Sequence, residues 1–220
     1  MALKRTSLAI LLLGMCISGG QANAANFSFT GSFTQDDNVQ LFNFSVGATS
    51  NVVLRSLSYA GGVNSQNVTI ARGGFDPILA LFDATGALIN QNDDGAPGTV
   101  PVDTVTGLAY DTYLALNGLA AGNYTVAVMQ YNNFANGPNL SNGFSRDGQG
   151  NFTGATYGCS QGSFCDFRGN NRNVNWAFDI EGVESATLPD IPVPAALPLF
   201  ATGLAAVGYA GRRRKATVAR

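Results

Sequence analysis

The chain has 220 residues, with 12 Lys+Arg against 14 Asp+Glu, no histidine, and a formal net charge of −2. That length allows one or two domains. The absence of histidine excludes Ser-His-Asp and Cys-His catalysis in their common forms.

Residues 1–24 open with Lys4 and Arg5, continue through an apolar run over 8–17, and end on Ala22-Asn23-Ala24. A positive start, a short apolar core and small residues at the cleavage site are the marks of a secretory signal peptide. The apolar run is too short to span a bilayer core of roughly 30 Å as a helix. Cys16 is preceded by Met15 rather than a small residue, which argues against a lipoprotein signal.

Residues 25–190 form the expected working domain, and their charge is lopsided. All fourteen acidic residues lie between Asp36 and Asp190, against five arginines (Arg55, Arg72, Arg146, Arg168, Arg172) and no lysine, a net charge of −9. Such a surface repels phosphate backbones, so a nucleic-acid partner is not expected. Phe27, Phe29 and Phe33 alternate with hydroxyl residues, as a strand with one buried face requires. Further β-rich runs follow at 39–46, 52–59, 77–83, 87–90, 112–116, 123–130 and 173–180, separated by Gly and Asn. Short strands at this spacing predict an all-β fold, an antiparallel β-sandwich with one core.

Asn92-Asp93-Asp94-Gly95 is the local cluster with the clearest chemistry. Carboxylate and amide oxygens on a tight turn suit Ca²⁺, which takes six to eight oxygens at about 2.4 Å. Asp76, Asp83 and Asp103 are expected to converge on it with Asn92, Asp93 and Asp94. The spacing is not that of an EF-hand, and a solvated turn satisfied by its own backbone is the plainer alternative. Cys159 and Cys165 are an even pair in an exported chain and predict a local disulfide. Tyr131, Phe134, Phe144, Phe152, Tyr157, Phe164 and Phe167 are scattered through an Asn- and Gly-rich stretch. Their commoner role is to pin a long loop to the sandwich, and the other is to stack on sugar rings. No carboxylate pair is singled out as a glycoside hydrolase would need. A non-catalytic protein is therefore expected, with an unrecognised glycosidase as the weaker alternative.

The segment Phe75-Asp76-Pro77-Ile78-Leu79-Ala80-Leu81-Phe82-Asp83, with Gly86, Ile89, Asn92-Asp93-Asp94-Gly95 and Leu119-Ala120-Ala121-Gly122-Asn123-Tyr124-Thr125-Val126-Ala127-Val128, resembles the pre-peptidase C-terminal-like module. That resemblance spans about residues 71–130 and implies a jelly-roll-like sandwich acting as an accessory unit, without a reaction of its own. Residues 132–173 depart from the compact module.

At the C-terminus, Pro192-Val193-Pro194 is followed by seventeen uncharged residues (195–211) and then Arg212-Arg213-Arg214-Lys215. As a helix the uncharged run is about 25 Å long, near a bilayer's hydrocarbon thickness. The basic cluster would hold its C-terminal side in the cytoplasm. Residues 191–216 resemble a PEP-CTERM sorting signal, with Val193 where the type motif carries Glu. The resemblance implies a precursor inserted in the inner membrane and processing near Pro192 by an exosortase. The mature form would lie in the periplasm, at the outer surface or in an extracellular matrix, associated with exopolysaccharide. A permanent tail anchor is the simpler alternative.

Overall fold

The structure, a computed structural model, describes residues 24–189. Nearly all of the expected signal peptide, and the whole sorting segment with Pro192, Val193, Pro194, Arg212, Arg213 and Arg214, lie outside the described residues. Among the described residues no helix is long and apolar enough to cross a membrane.

The domain is all-β and built from two antiparallel sheets. The first has four strands in the order β1 (Ala25–Ser32), β10 (Asn175–Val183), β3 (Ser50–Ser56), β8 (Tyr113–Leu119). The second has five, in the order β11 (Ser185–Thr187), β2 (Val39–Val46), β9 (Gly122–Gln130), β6 (Pro77–Asp83), β7 (Leu88–Asn92). A small hairpin, β4 (Gly62–Val63) with β5 (Thr69–Ile70), and one short helix, α1 (Thr153–Tyr157), complete the elements used below. The two sheets bury their facing side chains in a shared core, which makes a sandwich. Phe42, Phe44, Leu79, Leu81, Val126 and Val128 come from the second sheet; Val52, Leu54, Trp176, Phe178 and Ile180 come from the first. The Phe42 ring lies 5.1 Å from Phe178 and edge-on to Trp176 at 5.6 Å, in the favoured range for aromatic pairs. The alternation of Phe27, Phe29 and Phe33 does what it predicts: Phe33 is buried, and the other two pack against the core.

Strand β6 breaks the alternation because it is covered on both faces. Leu79 and Leu81 enter the main core, while Ile78, Ala80 and Phe82 join a second cluster with Ala127, Met129 and Phe144. Residues 132–173 provide that cover, with Phe134 and Leu140 packed beside Phe144. Most of the scattered aromatics thus act as pins, and Phe144, Phe152 and Phe164 are buried. The same stretch is tied down by Asp36, whose carboxylate accepts N–H bonds from Phe152, Thr153 and Phe164 and a hydroxyl bond from Thr153. The expected disulfide joins Cys159 and Cys165, with Cα atoms 5.7 Å apart. Closing a loop of that size contributes roughly 2 kcal/mol by restricting the unfolded chain.

Two local motifs position the second sheet. At the β6–β7 turn, Asp83 accepts from the Thr85 N–H, the Thr85 hydroxyl and the Ala87 N–H. Gly86 takes a φ of 83°, where a side chain would be strained. Ahead of β9, the Tyr124 hydroxyl donates to the Ala120 carbonyl at 2.8 Å and fixes the chain's entry into the strand.

Candidate cation site

The β6–β7 hairpin decides which acids meet. Leu79 pairs with Asn92 and Ala80 with Gln91, so the start of β6 lies beside the end of β7. Asp76 immediately precedes β6, and Asp93 and Asp94 immediately follow β7. One oxygen from each of Asp76, Asp93 and Asp94 lies within 4.8 Å of the others. Two oxygens on opposite sides of a calcium ion at about 2.4 Å are themselves about 4.8 Å apart, so one ion can reach all three.

The carboxylates line a small cavity of about 90 Å³ with Tyr110, Tyr131 and Phe167. Tyr110 arrives from the segment before β8 and Tyr131 from the residue after β9. The Tyr131 N–H donates to the Asp76 carbonyl at 2.8 Å, which holds the two chain segments together. Phe167 comes from the loop stapled by the disulfide. Tyr131, Phe167 and Tyr157 brace one another, with Tyr131 edge-on to Phe167 at 6.0 Å.

Asp76 is only 3% exposed, and its Oδ1, like the Oδ1 of Asp93, is buried with no hydrogen-bond partner. The other buried aspartates are served. Asp111 accepts from the Ser56 hydroxyl and the Tyr59 and Ala60 N–H groups. Asp166 accepts from the Tyr59 hydroxyl and from Arg168 and Asn170. Asp179 is held by Ser28, Arg55 and Ser65. A buried polar atom without a partner costs roughly 1–3 kcal/mol, and more when charged. The cluster therefore resists ionisation. Burial, then the negative charges of Asp94 and Asp93, push the Asp76 carboxyl well above the usual carboxylate range. Burial and the Asp94 charge raise Asp93 to about 7. Burial and the Asp111 charge raise Asp94 to about 6.

Three of the six expected ligands, Asp76, Asp93 and Asp94, are brought together. Asn92 is adjacent but already engaged: its Oδ1 accepts the Tyr113 N–H at 3.0 Å and its amide donates to the Asp94 carbonyl. Its part is to shape the turn rather than to face the cavity. Asp83 does not join, because it sits at the opposite, turn end of the hairpin and is spent on Thr85 and Ala87. Asp103 does not join either. It is buried against Arg72, with Nε at 2.9 Å and Nη2 at 2.7 Å, and against Arg172. Tyr110 is a lining residue that no sequence pattern singles out. No protein-family model matches the chain, and no curated protein sequence matches it.

Proposed function

We propose that the chain is an exported, non-catalytic envelope protein whose β-sandwich holds one calcium ion through Asp76, Asp93 and Asp94. The observation that carries it is the shared cavity of three carboxylates in which the buried Oδ1 atoms of Asp76 and Asp93 have no donor. A divalent cation supplies the missing positive charge and favours the ionised form of all three groups. The size of the cavity supports an ion over an organic ligand. About 90 Å³ is well below the roughly 300–1,000 Å³ of small-molecule pockets and is near the room taken by about three waters. It also gives little support to the glycosidase alternative, which needs a sugar ring between its two carboxylates.

The jelly-roll-like, accessory character of the module is supported by where the resembling residues fall. They occupy β6, β7 and β9, which are neighbours in one sheet. The signal peptide and the sorting segment support export, an exosortase as processing partner and a final position at or beyond the outer surface.

Terbium is the test, because Tyr110 and Tyr131 line the cavity and tyrosine sensitises its emission. Tyrosine-sensitised luminescence that Ca²⁺ displaces, and that Asp76→Asn and Asp93→Asn each abolish, is the expected result. No sensitised emission, together with no calorimetric heat from Ca²⁺, overturns the cation site. Mass spectrometry of the mature protein tests the export route, with termini expected after Ala24 and near Pro192. A mature chain that retains Arg212-Arg213-Arg214-Lys215 overturns the processing step.

A further inference from the structure

The cation site is open on one side, and what stands at the opening is an aromatic ring. Asp94 is exposed, and Phe167 is 58% exposed although its ring is braced by Tyr131 and Tyr157. Among the described residues, every other exposed large hydrophobic side chain is aliphatic. The backbone that presents Phe167 is held rigidly. Cys165, two residues before it, is in the disulfide. Asp166 accepts the N–H groups of Arg168 and Asn170, the Asn170 amide and the Tyr59 hydroxyl, which closes the turn around Phe167. A ring fixed in solvent this way loses little conformational entropy when a ligand covers it.

Resting on the calcium reading, we propose that the open side of the ion binds a neutral saccharide. A vicinal pair of sugar hydroxyls coordinates the ion, and the apolar face of the sugar lies on Phe167. Each of the three carboxylates brings one oxygen to the site, whereas Ca²⁺ takes six to eight, so exchangeable positions remain. Charge selects the class of ligand. Three carboxylates already exceed the charge of one divalent ion, and Asp111 and Asp166 add to the negative field at Asp76. An acidic sugar is repelled there, while hydroxyl oxygens are not. The cavity holds the ion and its waters, so the sugar ring sits at the mouth, within reach of Phe167 and outside the three carboxylates.

The test uses purified protein and methyl glycosides of mannose, galactose and glucose, which between them present cis and trans vicinal diols. Cation occupancy is read first, by calorimetry with Ca²⁺ alone. Glycoside binding is then followed by NMR shifts of the aromatic protons. With Ca²⁺ present, at least one glycoside is expected to bind with a Kd of about 1–10 mM, and chelation is expected to abolish it. Phe167→Ala, compared with the parent protein at a Ca²⁺ concentration that saturates both, is expected to weaken it by about tenfold, and Phe167→Tyr is expected to retain it. Retained Ca²⁺ binding also reports that the variants are folded. Ca²⁺ binding with no response to any of the three glycosides overturns the saccharide site and leaves the cation site standing. Glycoside binding that survives chelation, or that ignores Phe167→Ala, overturns it as well. Failure of Ca²⁺ binding itself removes both proposals.

Discussion

Asp103 and Asp76 are both buried aspartates, and their surroundings are opposite. Burial by itself raises the Asp103 carboxyl, but the Arg72 hydrogen bond, the Thr106 and Val105 N–H groups and the Arg172 charge together pull it well below the usual carboxylate range. Arg172 is equally committed. It donates to the Gly74 carbonyl at 2.8 Å and to the Tyr59 carbonyl, and its guanidinium lies 3.6 Å from the centre of the Tyr59 ring. Asp76 has the burial without the donors. Its nearest charges are other carboxylates, and it moves the other way. Burial does not decide what an aspartate is for; the donors around it do. The Asp103 knot is closed and holds the fold together, whereas the Asp76 cluster is incomplete and invites a cation.

The largest expected effect lies at the closed knot. Arg172→Leu leaves Asp103 half-paired and the Gly74 carbonyl without a donor, while the Tyr59 carbonyl keeps the Gly73 N–H, and a loss of about 3–5 kcal/mol is expected in denaturant unfolding. A loss under about 1 kcal/mol would show that Arg72 alone satisfies Asp103, and the contrast would weaken. Next in size is the response of the open cluster to calcium. At a hundredfold excess over Kd a ligand that binds only the folded state adds about 2.7 kcal/mol, which for a chain of this size is a rise in Tm of about 5–10 °C. Asp76→Asn should remove that rise, while Asp83→Asn, at the far end of the hairpin, should leave it intact.

The smallest effect is a pair of opposite pH slopes in cation-free protein. Asp93 is raised from 3.8 to about 7 in the folded state. Between about pH 4 and 7 the unfolded chain gives up that proton while the folded chain keeps it, so this group makes stability fall as pH rises. Asp103 is lowered in the folded state, so its contribution is complete above about pH 4 and is lost in stronger acid. Thermal melts of Asp93→Asn should therefore gain on the parent protein as pH goes from 5 to 8, and Ca²⁺ should cancel that gain. A parent and variant that track each other across this range would mean that Asp93 ionises freely and that the cluster carries no strain.

Alternating and continuous apolar runs placed most of the large strands, and β6 spans Pro77–Asp83 just as its apolar run predicts. The pairs Asp76 and Asp93-Asp94 are legible for a local reason. Asp83 and Gly86 build a turn whose register runs back along the hairpin, so the sequence distance between the acids becomes contact at its open end. The short strands β4, β5 and β11 escape the same reading because two or three residues are too few to show a period. Tertiary structure alone decided the rest. Asp103 meets Arg72 and Arg172 across 31 and 69 positions, and no local pattern marks an aspartate that will find a guanidinium. Tyr110 and Phe167 reach the cavity from two further segments, through the order of strands and the stapled loop. Local chain geometry thus determined which acids are neighbours. The long-range fold determined which of them keep their charge unpaired, because that depends on donors arriving from elsewhere in the chain.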